Sequence, residues 1–111
     1  MSEIKIVQPQ GRLDALGARS LWMELESLTR GPNARILVDM TETRYVSSDG
    51  LRVLMRASKA AKTNGGKLVL CCLNARLAEI IAMAGLDHVL EIQPTANAAQ
   101  RALDAHPSSD A

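Results

Sequence analysis

Two adjacent hydroxyls and a carboxylate, Ser47-Ser48-Asp49, stand immediately before a helical pattern that opens with Gly50, Leu51 and Arg52. The combination suits a site that is modified, or read by a partner, better than a pocket that performs chemistry. A phosphate on Ser48 would meet the first amides of the helix, expected to be those of Gly50, Leu51 and Arg52, where N–H donors and the helix dipole both favour an anion. It would bring about two negative charges up to Asp49 and to Asp14, which occupies the matching strand-to-helix handover earlier in the chain. A protein ligand docked there would be repelled, so gain and loss of one group would switch binding. The same residue types are also the commonest helix caps, and a cap needs no partner.

Other chemistries find less support. A nucleophilic serine needs a histidine base with an orienting acid, and His88 falls in a loop after the third helix with no acid placed by any motif. The chain has no G-x-S-x-G, phosphate-cradling glycine loop or dinucleotide fingerprint, so a non-enzymatic role is expected. Cys71 and Cys72 are sequence neighbours, and in a strand their side chains would point to opposite faces. They read as two small core residues without a disulfide, and with His88 and His106 they show no ligand spacing, so neither metal nor cofactor is expected. Asp39, at the end of an apolar run, reads as a turn-former bonding the backbone of Thr41 or Glu42.

Composition narrows the partners. The 111 residues carry a formal charge of +1 and only two aromatics, Trp22 and Tyr45. Such a chain has neither the field to gather nucleic acid nor the platforms to stack bases, and its core must be aliphatic. No run is long enough to enter a membrane directly and the amino terminus has no signal-like pattern, so a cytoplasmic protein is expected.

The elements that must hold Asp14 and the serines follow from periodicity. Ile4-Lys5-Ile6-Val7 alternates as an edge strand and continues loosely towards Gly11-Arg12-Leu13. Asp14 caps a helix marked by Leu16, Leu21, Trp22, Leu25 and Leu28, which Gly31-Pro32 stops. Arg35–Asp39 reads as a central strand covered on both faces, and the segment from Met40 to Asp49 as a turn. The second helix buries Leu51, Leu54, Met55, Ala57, Ser58 and Ala61, and turns Arg52, Arg56, Lys59 and Lys62 outward. A strand over Lys67–Leu73, a helix capped by Asn74 and closed at Gly85, a short strand at Val89–Ile92 and a helix from Thr95 to Ala105 complete the pattern. In the last helix Ala98, Ala102 and Leu103 are expected inward. Alternation predicts an α/β fold with a small, mostly parallel sheet of about four strands and four helices. Residues 1–106 form one domain in this reading, and 107–111 a frayed tail.

Gly11-Arg12-Leu13-Asp14-Ala15, Ile36-Leu37-Val38-Asp39-Met40, Tyr45-Val46-Ser47-Ser48-Asp49-Gly50-Leu51-Arg52-Val53-Leu54 and Ala84-Gly85-Leu86 together resemble the STAS domain family, over about Ile4 to Leu103. The resemblance implies a sheet with helices mainly on one face, and, for a stand-alone chain of this size, a bacterial anti-sigma factor antagonist. It implies binding to an anti-sigma factor that is itself a serine kinase, release of the sigma factor, phosphorylation at Ser48 and reversal by a metal-dependent phosphatase. Partner contacts would fall on Asp14, Ser47, Ser48, Asp49, Gly50, Leu51, Arg52 and Arg56. Two departures stand out: Ser47 replaces the family's usual aspartate, which makes it a second candidate acceptor, and the amino-terminal hairpin is cut to about one strand, leaving an edge open to self-association. The alternative is an accessory STAS subunit docking on the ATPase of an ABC transporter for lipid.

Overall fold

The computed structural model describes residues 3–106. In chain order its elements are β1 (Ile4–Val7), β2 (Gly11–Leu13), α1 (Ala15–Thr29), β3 (Arg35–Asp39), β4 (Thr43–Val46), α2 (Ser48–Thr63), β5 (Lys67–Cys71), α3 (Ala75–Met83), β6 (Glu91–Gln93) and α4 (Ala96–Asp104), with a 3-10 turn at Leu86–His88. The main sheet runs β1-β3-β5-β6 with every pair parallel. The expected α/β class, four-stranded parallel sheet and four helices are all present.

The two central strands are apolar and buried at their middle positions, Ile36–Val38 and Leu68–Leu70, because each face meets a different helix layer. Ile36 and Val38 of β3 and Leu68 and Leu70 of β5 pack in one cluster with Leu21 and Leu25 of α1, Leu54, Ala57 and Ala61 of α2, and Leu77 and Ile81 of α3. Leu37, Val69 and Cys71 point the other way, onto Ala99 and Leu103 of α4. Three helices therefore lie on one face and one on the other. Fully buried residues such as Leu54, at 0% exposure, each contribute roughly 1.5–3 kcal/mol of burial, which fixes α2 on the sheet.

Sequence periodicity misses one element and misplaces others. Thr43–Val46, expected as part of a turn, is strand β4, and Gly11–Leu13 is a separate strand β2 rather than a loose continuation of β1. The two pair in parallel as a second, two-stranded sheet. The chain leaves β1 at Pro9, whose carbonyl accepts the buried Thr43 hydroxyl at 2.7 Å, and Gly11 turns it at a φ of 72°. β1 sits at a sheet edge, as expected. Leu16 is 76% exposed despite its helical spacing, because the α1 stripe is carried by Leu21 and Leu25. In α4 it is Ala99, not Ala98, that joins Leu103 in full burial. β5 ends at Cys71 and the last strand starts at Glu91, two residues later than expected. The tail expected over 107–111 lies outside the described residues.

Candidate functional site

Strand register alone brings the two handovers together. Leu13 of β2 lies beside Val46 of β4, so Asp14 and Ser47, the next residue on each strand, emerge side by side. The Ser47 amide and hydroxyl both donate to the Leu13 carbonyl, at 2.9 and 2.7 Å. Each handover then enters a helix through its own cap: Asp14 Oδ1 accepts the Gly17 amide at 3.1 Å, and Ser47 Oγ accepts the Gly50 amide at 3.3 Å. The helices can start this close to the strands only because glycines sit at the contacts. A Cβ on Gly50 would lie 2.6 Å from Val46 Cγ2 and 3.0 Å from the Leu13 carbonyl oxygen, and one on Gly17 would lie 2.6 Å from the Arg12 carbonyl oxygen.

The two serines thus have different roles. Ser47 is half-buried, with its hydroxyl used twice: it caps α2 by accepting the Gly50 amide and it donates to the Leu13 carbonyl. Ser48 is the first helical residue, exposed, and its hydroxyl has no partner among the described residues. Because α2 begins at Ser48, the Gly50 amide is capped and the Leu51 amide bonds the Ser47 carbonyl at 2.9 Å, contrary to the expectation that these donors are free. The first-turn amides left without an intrahelical acceptor are those of Ser48 and Asp49.

Two open clefts flank this helix start. One, of about 640 Å³, runs between α2 and α3 and is lined by Tyr45, Val46, Ser48, Leu51, Ala75, Arg76, Glu79 and Ile80. The other, of about 440 Å³, lies between α1 and α2 and is lined by Ala15, Ala18, Arg19, Trp22, Asp49, Arg52, Val53 and Arg56. Of the eight residues expected at a partner surface, Ser48 and Leu51 fall on the first cleft, Asp49, Arg52 and Arg56 on the second, and Asp14 is exposed on the rim between the caps. Gly50 is buried against Leu13 and Val46, so it positions the helix and offers no surface to a partner. The basic face is exposed, yet not uniformly free: Arg52 lies 3.8 Å from Asp49, and Arg56 stacks 4.2 Å over the Trp22 ring. Arg76, which sequence reasoning passed over, gives the Ser48 cleft a cation. Its signal was its place two residues after the Asn74 cap, a position that helical periodicity marks only as solvent-facing.

A second group of reactive side chains lies at the ends of β3 and β5. Asp39 is the turn-former expected, its Oδ1 accepting the Thr41 amide at 3.0 Å and hydroxyl at 2.6 Å, while Oδ2 accepts Gln8 Nε2 at 3.2 Å. Burial pushes its carboxyl up, but the hydrogen bonds from Thr41, Gln8 and Cys72 together outweigh it and hold the group below its ordinary value. The cysteines do not point apart. Cys72 has left the strand for a φ of 66°, which swings its sulfur to within 3.0 Å of Cys71 Sγ. Burial, and then the neighbouring Cys72, push the Cys71 thiol up to about 12. Asp39, Cys71 and Cys72 offer ligand atoms all within 4.8 Å of one another, contrary to the expectation that no metal-ligating set forms.

Comparison with known proteins bears on the whole of this geometry. A family model described as "Mlab, STAS domain" matches residues 5–92. A protein of Bordetella bronchiseptica named as a candidate anti-sigma factor antagonist, BtrV, is 32% identical over 93 residues, spanning 84% of this chain and 78% of its own. An anti-sigma-B factor antagonist of Listeria monocytogenes is 31% identical over 83 residues, 75% of this chain and 73% of its own. Among solved structures, a candidate antagonist from Thermotoga maritima matches with a TM-score of 0.82 at 20% identity, covering 91% of this chain and 87% of that one. At that identity the match speaks for the fold alone. No helix among the described residues is long and apolar enough to cross a membrane.

Proposed function

Because the chain belongs to the STAS domain family, we propose that it is an anti-sigma factor antagonist: a regulatory binding protein that holds an anti-sigma factor and lets go when Ser48 is phosphorylated. The observation that carries the switch is the exposed, unpartnered Ser48 hydroxyl at the first position of α2, beside a neighbour whose hydroxyl is engaged in capping α2 and in bonding the Leu13 carbonyl. A phosphoryl group there would lie on the rim shared by both clefts, close to the two uncapped amides and to the cleft that holds Arg76. It would also set a dianion against Asp14 and Asp49, and a partner making carboxylate or apolar contacts on that rim would be expelled. The anti-sigma factor is itself the serine kinase in this reading, a metal-dependent phosphatase restores the free hydroxyl, and the cycle runs in the cytoplasm without catalysis by this chain.

The test is to mix the chain with its cognate anti-sigma factor and ATP, map the phosphate by mass spectrometry and follow the complex by calorimetry. Wild type should carry the phosphate on Ser48 and lose the complex, and Ser48→Ala should stay unmodified and bound. Equal modification of Ser48→Ala and wild type would refute the site. The transporter alternative has less support, since the named relatives are antagonists. Capture of an ATPase in place of a kinase from native cells would reverse that order. Strand addition at the β1 edge is the surface open to self-association, and sedimentation of Ile6→Lys against wild type tests it, Ile6 being 53% exposed there.

A further inference from the structure

We propose that Cys71, Cys72 and Asp39 form a binding site for a thiophilic divalent cation of the zinc class, at the carboxyl ends of β3 and β5. Two independent features converge on it, and their combined result can be measured. The cysteines come from adjacent positions yet present their sulfurs 3.0 Å apart, because Cys72 takes the left-handed backbone that cysteine rarely adopts. The carboxylate joins them from a different strand, placed by the register that sets Asp39 beside Cys71. All the candidate ligand atoms lie within 4.8 Å of one another.

The donor set selects the ion. Two thiolates exclude magnesium and calcium, which take oxygen ligands, whereas a carboxylate beside two sulfurs suits zinc better than monovalent copper. With metal–sulfur bonds of about 2.3 Å at a tetrahedral angle, the sulfurs would stand roughly 3.8 Å apart, so the present 3.0 Å needs to open by only a fraction of a bond length. The third ligand is already held in place. Thr41 and Gln8 hydrogen-bond both oxygens of Asp39, the kind of outer support that fixes ligating carboxylates. Binding displaces both thiol protons to solvent, so two thiolates and one carboxylate leave a dication site with one net negative charge and a fourth position open to water or to a partner's side chain.

A disulfide between the same sulfurs is the competing fate, and the backbone opposes it. Successive Cα atoms are about 3.8 Å apart across a trans peptide, shorter than the separation of about 4.4 Å at which disulfides begin to form without strain. A chelated ion imposes no such closure. Nor does the site overlap the switch: Cys71 faces α4, on the side of the sheet opposite the α1–α3 layer.

The experiment titrates the reduced, metal-free chain with Cd2+, reading the ultraviolet thiolate-to-metal charge-transfer band, and with Zn2+ against a chromophoric chelator. One equivalent should bind. Cys72→Ser should abolish the band, and Asp39→Asn should weaken Zn2+ affinity by about 10-fold or more. Because Cys71 is buried and its replacement could disturb folding, the decisive variants are these two, each checked by circular dichroism. Zn2+ should raise the melting temperature of wild type and not of Cys72→Ser. Absence of the band at excess Cd2+, a band unchanged in Cys72→Ser, or a chain that forms the vicinal disulfide and never retains metal when reduced would each overturn the assignment.

Discussion

Replacing the two adjacent serines one at a time separates the scaffold role of Ser47 from the switch proposed for Ser48. Ser47→Ala deletes an acceptor 3.3 Å from the Gly50 amide and a donor 2.7 Å from the Leu13 carbonyl. Losing a helix N-cap costs roughly 0.5–2 kcal/mol. Gly50 is buried, so its amide cannot turn to water, and the upper half of that range applies. The Leu13 carbonyl adds little, because it keeps the Ser47 amide at 2.9 Å. The sum is about 1–2 kcal/mol, which in a domain of this size lowers the melting temperature by roughly 4–10 °C. Ser48→Ala removes an exposed hydroxyl with no partner, and its cost should stay within about 0.5 kcal/mol. Thermal and urea unfolding followed by circular dichroism gives the stabilities, and phosphate mapping after incubation with the anti-sigma factor gives the function. The expected pattern is crossed: Ser47→Ala is less stable but still phosphorylated, and Ser48→Ala is as stable as wild type and unmodified. Equal destabilisation by both, or a Ser47→Ala that is stable and unmodified, would refute the division.

Gly50→Ala should cost about 1–3 kcal/mol by urea unfolding, since the new methyl carbon would lie 2.6 Å from Val46 Cγ2, and a neutral result would mean that α2 shifts freely at its start. Arg76→Ala should leave stability within about 0.5 kcal/mol while weakening the anti-sigma factor complex in calorimetry, because Arg76 is exposed and shares the Ser48 cleft; unchanged affinity would take α3 out of the interface. Metal-free chain treated with iodoacetamide at neutral pH should be alkylated at half-buried Cys72 and, only once unfolded, at Cys71, whose thiol is buried and pushed up to about 12. Mass spectrometry showing Cys71 modified first in the folded chain would contradict that order.

The sequence makes some of this structure legible and hides the rest for definable reasons. The caps at Asp14 and Asn74 can be read because a cap is a local contract between a side chain and an amide three residues on. Strands β3 and β5 can be read because burial on both faces leaves an unbroken apolar run. β4 cannot. Its four residues, Thr43-Arg44-Tyr45-Val46, make a short and half-polar run, and the partners that make them a strand lie far back along the chain, at Gly11, Arg12 and Leu13 of β2. The hydroxyl that anchors Thr43 bonds the Pro9 carbonyl, a contact with no local signature. Cys72 escapes for a different reason: strand geometry predicts opposed side chains for neighbours, and nothing in the sequence marks the residue at which that geometry ends.

The unusual Ser47 resolves once capping and charge are treated as separate demands on one position. The family resemblance leads one to expect an aspartate there, and either residue supplies an oxygen to the Gly50 amide, so the cap survives the exchange. What serine adds is a donor: its hydroxyl reaches the Leu13 carbonyl, which a carboxylate could not, and so ties the start of α2 to β2. What it removes is a negative charge directly before Ser48. Asp49 returns one directly after it, at the helix N-terminus where the dipole favours an anion, and Arg52 lies 3.8 Å from it to take up part of that charge. The net charge around Ser48 is therefore kept while its geometry is moved towards the α1–α2 cleft that Asp49 lines. A partner fitted to this chain should read that displacement. Exchanging the pair to Ser47→Asp with Asp49→Ser keeps charge and cap constant, and calorimetry should show it binding the cognate anti-sigma factor about 10-fold or more weakly, the scale of one misplaced charged contact. Equal affinity of the exchanged and native chains would mean that only the total charge matters there, and the specificity argument would fail with the cap left intact.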